Sequence, residues 1–174
     1  MNKKIQIGVI GPAGPEEYPN QKPNKKIYEV AEKVGYLLAK KGVVVITGGK
    51  SGVMETAAKG AKKAKGITVG VIKGKKRLSS NKYIDVEVLT GMEADGMDEL
   101  NIVMMCDGLI AIGGGAGTLQ EIVLAYRNKK PVVFIDKMGG IIERLPNPLD
   151  EREKNLFIAT KSPEEAVKTI LKNV

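Results

Sequence analysis

The residues that could do chemistry are concentrated in one ten-residue stretch, IGGGAGTLQE, which runs from Ile112 to Glu121. Four glycines, a threonine and a carboxylate follow directly on the apolar run GLIAI. A glycine-rich turn lets backbone N–H groups approach a ligand, and the helix N-terminus behind it favours negative charge. The stretch is therefore suited to hold a phosphate, and Glu121 could act beside it as a general acid or base.

Glycine clusters follow three different apolar runs of the chain. In chain order they are Gly11 and Gly14, then Gly48, Gly49 and Gly52, and then Gly113, Gly114, Gly115 and Gly117. A single cluster is most simply a tight connection from a strand to a helix. If the sheet is parallel, however, all three turns meet at its carboxyl edge, where open α/β sheets bind ligands. Three converging turns favour a ligand site.

These turns define the residues that we expect at a phosphate-bearing ligand. The glycines and the threonine expected to contact it are Gly11, Gly48, Gly49, Gly52, Gly114, Gly115, Gly117 and Thr118. Ser51 is expected to add a hydroxyl donor, and Lys50 a positive charge.

Two familiar nucleotide motifs are incomplete in these turns. GGKS at 48–51 resembles the end of a P-loop, but the first glycine of that motif would fall at Val44, inside a predicted strand. Residues 113–121 resemble a dinucleotide fingerprint, but Gln120 stands where its final glycine belongs. Neither motif defines the ligand.

Thr118 and Glu121 have a second, structural interpretation. They form the pattern T-x-x-E of a capping box, in which both side chains satisfy N–H groups at the start of a helix. A capping glutamate can still face a ligand, so the two interpretations remain open.

The types of residue present limit the possible chemistry. The chain contains no histidine and one cysteine, Cys106, which excludes Ser–His and Cys–His nucleophile pairs and any internal disulfide. The commonest zinc ligand is also missing, and we predict no metal site. Any catalysis must depend on carboxylates, lysines, tyrosines or backbone dipoles.

The formal net charge is +8, and lysine carries most of the positive charge. We expect a positively charged crevice that suits an anionic ligand. Lysine clusters at 59–65 and 73–77 are more typical of solvated surface than of a nucleic-acid site. Seven Phe and Tyr residues, mostly scattered, argue against a surface that stacks or reads bases. We therefore do not expect a nucleic-acid partner.

Apolar runs alternate with segments of helical periodicity. The predicted strands are residues 4–10, 43–47, 67–72, 84–89, 108–112 and 131–135. A helix is predicted between Asn24 as N-cap and Gly42, and the other helices at 53–65, 97–106, 118–128 and 162–173, the last capped by Ser162. This alternation predicts an α/β fold, a doubly wound, mainly parallel, Rossmann-like sheet with helices on both faces.

We expect one domain over residues 1–174. The Pro-rich stretch 11–24 is predicted as a loop at the ligand crevice, and 138–155 as an irregular flap or edge element. No apolar run approaches the ~20 residues that span a membrane. The first apolar stretch is also too short for a signal peptide, so we expect a cytoplasmic protein without a membrane partner.

Two segments resemble a known superfamily in their order and spacing. They are TGGKSGVMETAAKGA at 47–61 and DGLIAIGGGAGTLQEI at 107–122. Together they resemble the nucleotide-binding superfamily that includes the Lonely Guy proteins, also known as lysine decarboxylase-like proteins. The resemblance extends over about residues 4–135. It implies a Rossmann-like fold and a homo-oligomer.

The catalytic members of that superfamily are phosphoribohydrolases, which split a nucleoside 5′-monophosphate into free base and ribose 5-phosphate. Their signature P-G-G-x-G-T-x-x-E is matched from Gly113 to Glu121, with Gly113 in place of the proline. Their second signature, M-x-E-R-K, reads MDELN here, so Glu99 is kept but Leu100 and Asn101 replace the arginine and the lysine. Loss of such a preorganised charge commonly lowers the rate by roughly 100- to 1000-fold. If the chain is an enzyme, the resemblance implies Glu121 and Glu99 as its catalytic carboxylates.

The chain resembles most closely a branch with a G-G-G-x-G-T turn that includes the molybdenum-cofactor carrier proteins. Those proteins bind a phosphorylated pterin without turning it over. The resemblance therefore implies binding, without turnover, of a phosphorylated nucleotide-like or pterin-like molecule, with the molybdenum cofactor as one candidate. The alternative is a phosphoribohydrolase. A third relative, the DNA-processing protein class, binds single-stranded DNA, which the few aromatic residues disfavour.

Overall fold

The computed structural model describes residues 3–20, 24–151 and 157–174. Within these ranges seven strands form one sheet, and every neighbouring pair is parallel. The strands are β1 Gln6–Ile10, β2 Val44–Thr47, β3 Thr68–Ile72, β4 Val86–Leu89, β5 Gly108–Ala111, β6 Val132–Ile135 and β7 Phe157–Thr160. The helices are α1 Lys25–Lys40, α2 Val53–Lys63, α3 Met97–Met105, α4 Ala116–Arg127 and α5 Pro163–Asn173, with a short 3₁₀ helix at Ile142–Arg144.

The order of the strands places a ligand crevice at the centre of the sheet. The order is β4-β3-β2-β1-β5-β6-β7, so the chain builds outward from β1 to β4 and then returns to β5 on the other side of β1. At this reversal Ile10 of β1 pairs with Ala111 of β5. Doubly wound sheets bind ligands outside the carboxyl ends of the two strands that flank such a reversal. The prediction of a doubly wound, mainly parallel α/β fold is confirmed.

Helices cover both faces of the sheet, as predicted. One face is buried by α1, α2 and α5 together with strand residues such as Ile110. The other is buried by α3 and α4 together with strand residues such as Leu109. Because neighbouring residues of one strand point to opposite faces, the central strands are apolar on both sides, and this explains their continuous apolar runs.

The helices α1 and α2 pack closely at two glycines. A Cβ atom built on Gly35 of α1 would overlap the backbone carbonyl of Ala57 in α2. A Cβ built on Gly60 of α2 would likewise overlap the carbonyl of Glu32 in α1. Glycine in a helix interior usually lowers the stability of the helix. Here the absence of a side chain at both positions lets the backbones of α1 and α2 come into direct contact.

Two predicted helix caps are confirmed. The Asn24 side chain accepts a hydrogen bond from the N–H of Ile27 at 3.2 Å, and Ser162 accepts one from the N–H of Glu165 at 3.2 Å. Pro163 occupies the first turn of α5, where its missing N–H costs no hydrogen bond. No helix among the described residues has both the length and the apolar character needed to cross a membrane.

The predicted capping box in α4 is wrong. The helix begins at Ala116, two residues before the predicted start, and its N-cap is Gly115. Thr118 is therefore already inside the first turn and does not cap the helix. The glycine-rich turn sets the start of the helix, and the interpretation of Glu121 as a capping residue does not hold.

The edge strand β7 is not predicted by the sequence analysis. Its four residues, FIAT, pair in parallel with β6. They are too short a run to separate from a loop by periodicity alone. The irregular stretch predicted at 138–155 contains the 3₁₀ helix, and its residues 152–155 lie outside the described residues. Residues 21–23 of the predicted loop 11–24 also lie outside them, and 11–20 contain neither helix nor strand.

Candidate functional site

A cleft of about 350 Å³ opens at the carboxyl edge of the sheet, beside the reversal of strand order. All three predicted glycine turns reach it, with Gly11 after β1, Gly48 after β2 and Gly115 after β5. The first turn of α3 adds Asp98 and Glu99. The expected convergence of the turns is therefore present, because all the strands run in the same direction.

The N-terminus of α4 is open to this cleft. Gly115, its N-cap, has a φ of −127° and offers no side-chain cap, and a Cβ built on it would meet nothing within 4 Å. Ala116, Gly117 and Thr118 line the cleft with it. Their N–H groups precede the first α-helical hydrogen bond, and no described loop or side-chain atom accepts from them. This arrangement suits an anion.

The N-terminus of α2 is instead covered by the loop at residues 11–18, which we call the β1 loop. The N–H of Val53 donates to the carbonyl of Pro12 at 3.0 Å. The N–H and the Oγ–H of Ser51 both donate to Glu17 Oε1, each at 2.9 Å, and Ser51 Oγ accepts from the N–H of Gly14 at 3.0 Å. A carboxylate of the chain itself therefore lies at this turn, and the helix end left open to a ligand is that of α4.

Eight of the predicted site residues line the cleft, namely Gly11, Gly48, Lys50, Glu99, Gly115, Gly117, Thr118 and Glu121. Gly49, Ser51, Gly52 and Gly114 do not line it. Gly52 has a φ of 70° and lies so close to the β1 loop that a Cβ would come within 2.5 Å of the Pro12 carbonyl oxygen. Gly114 has a φ of 116° and lies against the Thr118 side chain. These two glycines shape the turns behind the cleft.

The expectation of a positively charged crevice is wrong. Among the described residues, four carboxylates line the cleft, those of Glu17, Asp98, Glu99 and Glu121, against one cation, Lys50. Lys50 Nζ donates to the carbonyl of Ser79 at 3.3 Å. Many lysines instead lie on the outer surface, where Lys59 and Lys63 pair with Glu32, Lys62 with Asp85 and Lys73 with Asp95. The net charge of a chain does not fix the charge of its cleft.

Two of these carboxyls are held in the protonated form more strongly than usual. Glu121, in the second turn of α4, is only 6% exposed. This burial raises its pKa well above the ordinary value, and the nearby Glu99 and Asp98 raise it further. Burial and the neighbouring Asp98 also raise the pKa of Glu99, whose Oε2 is buried without a hydrogen-bond partner among the described residues. Glu99 Oε2 therefore has hydrogen-bonding capacity that no described residue uses.

Loss of the Glu121 carboxyl is expected to change how stability depends on pH. Because folding raises the pKa of this group, the folded state holds the proton more tightly than the unfolded chain. The contribution of Glu121 to the free energy of unfolding is therefore complete below the ordinary carboxyl pKa of 4.5, which applies to the unfolded chain. This contribution is lost as the pH rises toward the higher pKa of the folded state. Urea unfolding from about pH 4 to about pH 8 should show a smaller decline in Glu121→Gln than in the wild type. Glu93→Gln, at an exposed position, is the control, and equal slopes in all three proteins would contradict a raised pKa.

The cleft residues that the sequence does not single out include a carboxylate, an aromatic ring and two apolar helix side chains. Glu17 and Tyr18 belong to the β1 loop, Met54 to α2 and Ile102 to α3. The stretch 11–24 is predicted to line the crevice, but nothing in its sequence separates Glu17 and Tyr18 from their neighbours. Met54 and Ile102 are apolar helix residues, and their type alone does not separate a ligand contact from core packing.

The positions of the catalytic arginine and lysine of the Lonely Guy proteins offer no substitute charge. Leu100 and Asn101 do not line the cleft. The Asn101 side-chain amide donates to the carbonyl of Met97 at 2.7 Å, one turn earlier in α3. The cationic group of that catalytic signature is therefore missing here.

Comparisons with known proteins agree with this fold. The family model of the SLOG cluster4 family matches residues 4–167. An uncharacterized protein of Archaeoglobus fulgidus is 41% identical over 165 residues, which cover 95% of this chain and 93% of that protein. The molybdenum cofactor binding protein of the phototrophic bacterium Rippkaea orientalis superimposes with a TM-score of 0.82 at 32% identity, over 98% of this chain and 97% of the other. The molybdenum cofactor carrier protein of Chlamydomonas reinhardtii gives a TM-score of 0.81 at 30% identity, over 98% of both chains. The chain thus belongs to the SLOG cluster4 family, and it has the Lonely Guy-like fold of the molybdenum-cofactor carrier branch.

Proposed function

We propose that the protein binds a phosphorylated pterin-type molecule, the molybdenum cofactor or a close relative, and holds it without turnover. The observation that carries the proposal is the open N-terminus of α4, whose Gly115, Ala116, Gly117 and Thr118 line the cleft. The similarity to a molybdenum cofactor binding protein and a molybdenum cofactor carrier protein supports the identity of the ligand.

The phosphate would bind at the start of α4. Its oxygens would accept from the N–H groups of Gly117 and Thr118, which have no acceptor in the helix. Glycine at 115, where a Cβ would meet nothing within 4 Å, leaves room for a phosphate close to the backbone, and the positive end of the helix dipole compensates part of its charge. Lys50, the one cation that lines the cleft in the part of the chain that the structure describes, would add a longer-range attraction.

The ring of the ligand would lie against the acidic and apolar parts of the cleft. A pterin ring presents N–H donors along one edge, and the unpartnered Glu99 Oε2 is an acceptor for such a donor. Glu121, which also lines the cleft, would donate to a ring or sugar oxygen whenever it is protonated. Met54 and Ile102 supply apolar contact, and a volume of about 350 Å³ is within the range of small-molecule sites. The residues present therefore fit the ligand class.

We attribute binding of the ligand without turnover to the missing arginine of the catalytic signature. Cleavage of a glycosidic bond builds positive charge on the sugar and negative charge on the leaving group, and preorganised charges stabilise both. Leu100 stands where the catalytic signature has its arginine, and it does not line the cleft. In this proposal the start of α4 holds the phosphate, while the charge that would speed the reaction is missing.

The test is to find what the protein carries. Protein purified without oxygen from its own organism or from a host that makes the cofactor should contain molybdenum and a phosphorylated pterin at a constant ratio to protein. Molybdenum would be measured by mass spectrometry, and the pterin by the fluorescence of its oxidised product after chromatography. Protein that carries neither, and that takes up neither from added cofactor, would contradict the proposal.

The second candidate function is a nucleoside 5′-monophosphate phosphoribohydrolase. It is favoured by Glu121, a buried carboxyl with a raised pKa one turn from the open helix end, as a general acid requires. Release of free base and ribose 5-phosphate from a panel of purine and pyrimidine monophosphates would establish this activity, provided that Glu121→Gln abolishes it.

A homo-oligomer, implied by the resemblance, is proposed with the same ligand function. Met104 of α3 is 53% exposed and Val123 of α4 is 38% exposed, on two helices that pack side by side. Burial of such side chains against another copy would be favourable. Light scattering of the purified protein measures the number of subunits.

A further inference from the structure

Tyr18 is a large aromatic side chain that lines the cleft and yet remains 62% exposed. It belongs to the β1 loop, where the N–H groups of Glu17 and Tyr18 both donate to the carbonyl of Gly14 at 3.1 Å. The tyrosine is thus held in a tight turn at the cleft. An aromatic side chain that lines the cleft and is this exposed can contact a ligand that enters it.

The neighbouring Glu17 fixes this loop to the turn after β2. Its Oε1 accepts from both the N–H and the Oγ–H of Ser51, and Ser51 Oγ accepts from the N–H of Gly14. Three hydrogen bonds therefore converge on Ser51, two of them charge-assisted. Although Glu17 lines the cleft, its carboxylate is already engaged. We call this contact between Glu17, Ser51 and Gly14 the loop latch.

We infer that Tyr18 is the ring-stacking residue of the cleft and that the loop latch positions it. The inference rests on the proposed function and narrows it to a ligand that combines a phosphate with a flat heteroaromatic ring. Apolar Met54 and Ile102 line the same cleft, and a flat ring offers them apolar contact that a bare sugar phosphate does not. Aromatic faces stack on any heterocyclic base, so the contact selects a shape rather than one compound.

The test compares two probes that share a phosphate and differ in the ring. Guanosine 5′-monophosphate carries the same amino-oxo-pyrimidine ring as a pterin, and ribose 5-phosphate carries none. Tyr18→Ala is expected to weaken binding of guanosine monophosphate by about tenfold, which is within the range for one stacked base. Its affinity for ribose 5-phosphate should not change. Tyr18→Phe, which keeps the ring, is the matched control and should bind both probes as the wild type does.

The loop latch is tested by Ser51→Ala, which removes one donor to Glu17 and the acceptor for Gly14 while leaving Tyr18 in place. We expect faster hydrogen exchange at the amides of Gly14, Glu17 and Tyr18, together with the same selective loss for guanosine monophosphate. An unchanged exchange rate would overturn the positioning role.

The outcomes separate this inference from the proposed function. Equal affinity of Tyr18→Ala and wild type for guanosine monophosphate, with binding of both probes intact, overturns the stacking role alone. If the wild-type protein binds neither probe, the result contradicts the proposed phosphate site and overturns this inference as well.

Discussion

Gly115→Asp is expected to bind phosphorylated ligands about 100-fold or more weakly while folding as stably as the wild type. Gly115 is the N-cap of α4, its φ of −127° lies outside the left-handed region that favours glycine, and a Cβ would meet nothing within 4 Å. Aspartate is a better N-cap than glycine by a few tenths of a kcal/mol. Its carboxylate would, however, accept from the same N–H groups that the phosphate needs, and it would repel a second anion.

The variant Gly115→Asn separates the effect of charge from that of the capping hydrogen bond. Asparagine also caps the helix but remains neutral, so we expect a smaller loss of affinity, about tenfold. Thermal unfolding and calorimetry with ribose 5-phosphate and guanosine 5′-monophosphate measure the two effects. A Gly115→Asp protein that binds both probes as tightly as the wild type would show that the phosphate does not lie at α4.

The sequence contains most of the information that defines the sheet. Runs such as GLIAI are apolar on both faces, which predicts strands covered by helices, and the structure buries Leu109 on one face and Ile110 on the other. Asn24 and Ser162 cap helices as their positions predict. The edge strand β7 is the exception, because four residues at the rim of a sheet carry no periodic signal.

The site is only partly predictable, because its properties depend on contacts between distant segments. The glycine turns predict the position of the cleft. Ser51, however, is predicted from the sequence to donate to a ligand, whereas in the structure it donates to Glu17, 34 residues earlier. Similarly, the net charge of +8 predicts a basic crevice, yet the fold gathers Asp98, Glu99 and Glu121 there. Composition says nothing about which charges a fold brings together.

The effect of a substitution at Gly60 also depends on a contact between distant segments. Gly60→Ala is expected to lower the free energy of unfolding by about 2–3 kcal/mol. By helix propensity alone this change would be stabilising by up to about 1 kcal/mol. The new Cβ would overlap the backbone carbonyl of Glu32, which cannot rotate away as a side chain can. The helices α1 and α2 would have to separate, and the packing of Val34 and Ala57 between them and the sheet would loosen. Urea unfolding measures the loss.

A double-mutant cycle tests whether close helix packing is the cause. Gly35→Ala places a Cβ against the carbonyl of Ala57, at the reciprocal contact between the same two helices. Once one substitution has separated the helices, the second Cβ meets less resistance, so the double variant should lose less stability than the sum of the single variants. Gly115→Ala, where the Cβ meets open space, is the control for an alanine without steric overlap. A neutral or stabilising Gly60→Ala would contradict the close approach of α1 and α2, and strict additivity would mean that the two glycines act independently.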